Sequence, residues 1–135
     1  MSECVSIGMW SRTYQILRVT SDKKSISTKF GIAQIEVFES WVHTITVLRN
    51  MAAHHDRFLH NKLRVSPVNH TAKNIKFTDN RSVYAALTVI HLLLDAIGFN
   101  ATFKQRIINL EVIYGMEMLQ ELGFPKNWPS GAVGW

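Results

Sequence analysis

Arg49, Asn50 and His54 combine a permanent cation, an amide and an imidazole within about one and a half turns of a helix. RNA can be cleaved without a metal if a base removes the 2′-hydroxyl proton, a cation stabilises the pentacoordinate phosphate and a donor positions the scissile group. Histidine suits the first role because it titrates near neutrality. Arginine suits the second, since its planar fork holds two phosphate oxygens at once. Asn50 lies at i,i+4 to His54 and so shares its face. Arg57 and Asn61 extend the strip, and Lys62 and Arg64 add phosphate-binding charge.

These residues fall in the run LRNMAAHHDRFLHNKLR, residues 48–64, which is expected to form one helix. With Arg49 at zero and about 100° per residue, His60 falls at roughly 20°, Arg57 at 80°, Asn50 at 100°, Asn61 at 120° and His54 at 140°. Leu48, Met51, Phe58 and Leu59 gather between roughly 180° and 280°, the core-seeking side. His55, at roughly 240°, turns towards that side and is expected to be structural. His55 and His60 are therefore badly phased for joint metal ligation with His54. No carboxylate or thiol triad accompanies them, and no metal or other cofactor is predicted. The bland alternatives are a solvated Arg49 and a His54 that caps a neighbouring element. Lys23, Lys24, Lys73 and Lys76 read as solvated charges, and His91 as a satisfied core histidine.

The chain has 135 residues, 47% hydrophobic and 19% charged, with a formal net charge of +5. One domain covering residues 1–135 with a packed core suits that length and balance. Between Ser40 and Thr78 the single acid is Asp56, set against Arg49, Arg57, Lys62, Arg64, Lys73 and Lys76 and five histidines. Such a local field attracts phosphate. Cys4 is the lone cysteine, so neither a disulfide framework nor a thiolate cluster is expected. The N-terminus lacks a basic segment followed by an apolar run, and residues 83–99 are interrupted by His91 and Asp95 short of the ~20 residues that span a bilayer. A cytoplasmic protein without membrane contact is the expectation.

The elements that must position the polar strip follow from apolar spacing. Ile7, Trp10, Tyr14 and Leu17 predict a first helix over residues 5–18. Ser21 or Asp22 would cap a short second helix stopped by Gly31. Residues 33–63 contain neither Pro nor Gly, and predict a long helix with a kink or break; the β-branched run Thr44, Ile45, Thr46, Val47 is its weakest part. Residues 65–78 read as an aperiodic loop. Asn80 would cap a helix ending at Gly98, and Asn100 a last helix over residues 101–122 that buries Phe103, Ile107, Leu110, Tyr114 and Met118. Gly115 inside it suggests close helix packing. Residues 124–135 form an irregular, aromatic tail able to dock. The fold class is all-α, a bundle of four to five helices.

The run Arg49-Asn50-Met51-Ala52-Ala53-His54-His55-Asp56-Arg57 resembles the RNxxAHHxR signature of the Abi-like (AbiD/AbiF) abortive-infection proteins, a branch of the HEPN superfamily. Residues 5–14, 30–41 and the ending LGFPKNW at 122–128 also look like the C-terminal half of that family, whose members are usually about twice this length. The resemblance implies a HEPN-like bundle that dimerises through the Arg49/His54 helix, so that two motifs form one metal-independent RNA-cleaving site. It implies Arg49, Asn50 and His54 as catalytic residues, products with 2′,3′-cyclic phosphate and 5′-hydroxyl ends, and a role in phage defence or as a toxin with an antitoxin partner. The competing reading is a non-catalytic module in which the same basic stretch binds RNA or protein.

Overall fold

The computed structural model describes residues 6–54, 57, 59, 61–128 and 135. Among these residues six α-helices form and no strand does: α1 (Ile7–Ile16), α2 (Thr20–Lys29), α3 (Ile35–Ala53), α4 (Val83–Ala96), α5 (Asn100–Tyr114) and α6 (Met116–Glu121). The all-α expectation holds. Helix α3 is central, packed against α1, α2 and α4, while α5 folds back on α4 and α6.

Local signals account for some of the helix ends, though not always through the expected residue. Ser6 caps α1 by accepting from the Met9 N–H at 3.2 Å. Ser82, not Asn80, caps α4, accepting from the Ala85 N–H at 3.1 Å. Helix α2 begins at Thr20 after Val19, with no side-chain cap, so neither Ser21 nor Asp22 serves as one. Gly31 does end it, at φ 73°. Asn100 is the first residue of α5 and not its cap. The β-branched run is helical, with Thr44 Oγ1 donating to the Ser40 carbonyl at 2.8 Å and Thr46 Oγ1 to the Val42 carbonyl at 3.0 Å. Both hydroxyls are thereby satisfied where the residues are buried.

Gly115 breaks the expected last helix in two, at φ 85° and ψ 162°. A Cβ there would meet nothing within 4 Å. Its role is therefore backbone conformation, not close packing. The predicted apolar face is only partly buried: Ile107 is covered, whereas Leu110 is 38% and Tyr114 62% exposed. Gly123 is required sterically, since a Cβ would stand 2.6 Å from Ser82 Cβ.

The core has three connected parts. Tyr14, Ile32, Val37, Phe38, Trp41, Ile75, Val89 and Leu93 join α1–α4. Leu48, Leu63, Val83 and Ala86 close the α3–α4 seam. Ile107, Leu119, Phe124 and Trp128 bring the tail under α5 and α6. The aromatic tail docks as expected, with Trp135 donating from Nε1 to Thr88 Oγ1 at 3.0 Å and stacking on His91 at 4.2 Å. His91 is 2% exposed, a core histidine.

The expected loop over residues 65–78 is pinned to α3. Trp41 donates from Nε1 to the Val68 carbonyl at 2.8 Å, and Ser40 Oγ accepts from the Val68 N–H at 3.0 Å. A 3₁₀ turn, Thr71–Lys73, follows, closed by paired backbone bonds between His70 and Ile75. His70 is 2% exposed, edge-on to Trp41, and its Nδ1 has no partner among the described residues. Burial, then the Lys73 charge, holds its imidazole below the ordinary 6.5. The unfolded chain thus takes up this proton first as pH falls. Stability is full above pH 6.5 and declines as pH drops towards the depressed folded-state value. Melting temperature should fall between pH 7 and 5, and fall less in His70→Gln; parallel profiles for the two proteins would refute this assignment.

Candidate RNA-binding recess

The expected helix over residues 48–64 ends early. Helix α3 stops at Ala53, with His54 as its C-terminal cap at φ −92°, ψ 7°, and its N–H bonded to the Asn50 carbonyl at 3.0 Å. The physical reason is the destination of Leu63. It is 0% exposed and packs in the same cluster as Leu48. Continuous helix would carry the two ~22 Å apart. Reversing the chain removes Leu63 from water, worth about 1.5–3 kcal/mol, and leaves Leu59 40% exposed. The expectation that Leu59 belongs to the core is corrected accordingly. His55, Phe58 and His60, whose helical phases were assigned from sequence, lie outside the described residues.

The reversal folds the polar residues back over the end of α3. Asn50, His54, Arg57, Asn61, Lys62 and Arg64 line one open recess of about 750 Å³, floored by Val47, Met51 and Val65. Six of the seven residues selected from sequence thus come together, but Arg57 and Asn61 do so through the turn and not through helical phase. Asn61 braces the turn by donating from Nδ2 to the Arg57 carbonyl at 2.9 Å. Arg49 is the exception. It stands beside the lining and donates from Nη1 to Asn50 Oδ1 at 3.3 Å. Asn50 therefore keeps its amide nitrogen as a donor.

Two residues missed in the sequence reading shape the recess from the other side. Arg81 donates from Nε to the Leu63 carbonyl at 2.8 Å, and its own carbonyl accepts the Leu63 N–H at 2.8 Å. With both backbone groups of Leu63 held and its side chain buried, Lys62 and Arg64 on either side are committed to the recess. Asp79 pairs with Lys62 at 3.0 Å. The Lys62 hydrogen bond, helped by the Arg81 N–H, holds the Asp79 carboxyl below its usual range. Lys62 is thus a partly neutralised cation, while no carboxylate stands among the described lining residues. In the sequence Asp79 follows directly on the acid-poor stretch that ends at Thr78.

Asp79→Asn keeps the Oδ1 that accepts the Arg81 N–H and removes the carboxylate charge that partly neutralises Lys62. If Lys62 touches a phosphate, RNA affinity should rise by up to about fivefold, the range of an exposed ion pair. Fluorescence anisotropy at fixed salt reads this, and an unchanged affinity would place Lys62 outside the contact.

The architecture defines an all-α protein with a cationic, imidazole-bearing recess at the end of its central helix. Among the described residues no group of three potential metal ligands stands together, and no helix is long and apolar enough to cross a membrane. The model of the Abi-like protein family matches residues 1–60, which run from α1 through α3 and include the whole RNxxAHHxR stretch. The Abi-like resemblance read from the sequence is consistent with this match, which stops short of the LGFPKNW ending. No curated protein and no solved structure matches the chain.

Proposed function

We propose that the protein is a metal-independent, HEPN-type endoribonuclease of the abortive-infection class, acting on RNA as a homodimer. The observation that carries the reading is the convergence of His54, Asn50 and the Arg57 and Arg64 charges on one open recess lined by no described carboxylate. His54 would accept the 2′-hydroxyl proton. The 2′-oxygen then attacks phosphorus, the bond to the 5′-oxygen breaks, and that oxygen takes up a proton from an acid. Among the described lining residues His54 is the single imidazole, so the acid is assigned to His54 of a second copy. Arg49 stabilises the charged phosphate and orients Asn50, with Arg57, Asn61, Lys62 and Arg64 holding the flanking backbone. Defence against phage, alone or as a toxin with an antitoxin, fits the Abi-like match over residues 1–60.

The purified protein should cleave RNA in EDTA, leave 2′,3′-cyclic phosphate and 5′-hydroxyl ends, and gain specific activity with concentration as dimers form. One observation favours a non-catalytic reading: Arg49 stands outside the recess that His54 lines. A wild-type dimer that binds RNA without cutting it would establish that second reading and exclude the first.

A further inference from the structure

A second groove of about 470 Å³ lies between α1 and α3, lined by Ser11, Arg12, Gln15, His43, Thr46 and residues near them. It meets the first recess at Val47 and Asn50, which line both. His43 and Asn50 are seven positions apart on α3, two turns, and so share a face. From His43 to His54 the path covers ~16 Å along the helix axis. That is several times the ~3.4 Å advance per nucleotide of a stacked strand.

The groove is built as well as open. At Gly8 α1 lies close against α3, and a Cβ there would be in ordinary contact with Thr46 Cγ2 at 3.4 Å. Ser11 and Thr46 form a buried floor, while Arg12, Gln15 and His43 are exposed. No carboxylate is present among its described lining residues. The nearest acid on the same helix side, Glu39, is engaged by Lys23 at 2.7 Å, and that ammonium is itself anchored on the Gln15 carbonyl at 2.8 Å. The acid that would repel an anion at this end of the groove is thereby neutralised by a clamp joining all of α1, α2 and α3.

We infer that the α1–α3 groove is a second nucleotide subsite that carries the RNA strand past Asn50, with Arg12 on a backbone phosphate and the exposed His43 ring as a base-stacking surface. Imidazole faces stack on unpaired bases, and arginine supplies sequence-independent phosphate contact. The inference rests on reading the first recess as an RNA site. It makes the chain a reader of single strands several nucleotides long, not of one phosphate.

The test compares a labelled 12-nucleotide single-stranded RNA with a dinucleotide, on His54→Ala protein so that the RNA stays intact. Arg12→Glu should weaken the 12-mer about tenfold or more, and Arg12→Ala should lower the slope of log affinity against log salt by about 1. Arg12→Lys should retain both, and His43→Ala should cost about fivefold or more. The dinucleotide, confined to the first recess, should bind equally to all of them. Arg106→Glu on α5 controls for net charge. Unchanged 12-mer affinity and salt slope, with the dinucleotide still bound, would overturn the subsite while leaving the recess in place. Equal losses for both lengths would also overturn it. Failure of either RNA to bind at all would overturn the recess reading and the subsite together.

Discussion

His54→Ala is expected to lower metal-free RNA cleavage by about 10²–10⁴-fold, the usual contribution of a positioned general acid or base. The loss should fall on kcat, because in the proposed mechanism the side chain acts on a proton that moves only as the 2′-oxygen attacks. Binding of intact RNA should change little, since Arg57, Lys62 and Arg64 remain in the recess. His54 caps α3 through its backbone N–H, a bond that alanine retains, so the variant should melt near the wild type. Arg49→Ala should also abolish most cleavage. In the proposed dimer, mixing Arg49→Ala with His54→Ala should leave little activity if each site needs both residues from both copies. Recovery of activity on mixing would instead mean that the two copies supply different residues to one site. Full activity in both single variants would remove these residues from the chemistry.

The candidate site was legible in the sequence for two different reasons, one sound and one accidental. Asn50 and His54 lie within or at the end of α3, so their i,i+4 relation survives folding. The same phase count put Arg49 on that polar face too, whereas the structure leaves Arg49 outside the lining. Arg57 and Asn61 had been grouped with them on a helix that does not reach that far. They arrive because the chain doubles back, carrying a basic segment over the end of the helix it has just left. Composition foretold their company; helical phase did not.

What escaped the sequence reading depends on contacts between distant segments. No Gly or Pro marks the end of α3 before Pro67, so local signals favoured continuation. The stop is imposed from outside, by the apolar seam that takes Leu63 and by Arg81, eighteen residues further on, that ties down its backbone. Arg12 and His43 were not singled out because nothing local announces that α1 lies along α3. Leu110 and Tyr114 follow the apolar spacing of α5 and yet are exposed, because spacing does not say how much of a helix face a neighbour will cover. Helix existence was a matter of apolar spacing; the stop of α3, unlike the glycine-marked ends of α2 and α5, was decided by what the chain had to pack against.

That distinction can be measured at Leu63 and Leu59. In a continuous helix, Leu59 would lie at roughly 280° within the apolar arc, while Leu63, at roughly 320°, would sit towards its polar edge. In the folded chain the order is reversed: Leu63 is 0% exposed and Leu59 40%. Leu63→Ala should therefore destabilise the protein by about 2–5 kcal/mol, the range for a leucine truncated in a core that cannot fully collapse. This is a large fraction of the ~5–15 kcal/mol that holds a domain together. Leu59→Ala should stay within about 0.5 kcal/mol. Urea unfolding reads both, and a larger loss at Leu59 than at Leu63 would refute the reversal. On the proposed function, this stability and RNA binding are linked. Leu63 lies between Lys62 and Arg64 and is clamped by Arg81, so loosening its side chain releases two of the cations from their places. RNA affinity in Leu63→Ala should then fall even at temperatures where the variant is folded, and Arg81→Ala, which removes the Nε bond without a core cavity, should reproduce the loss of affinity with a smaller loss of stability.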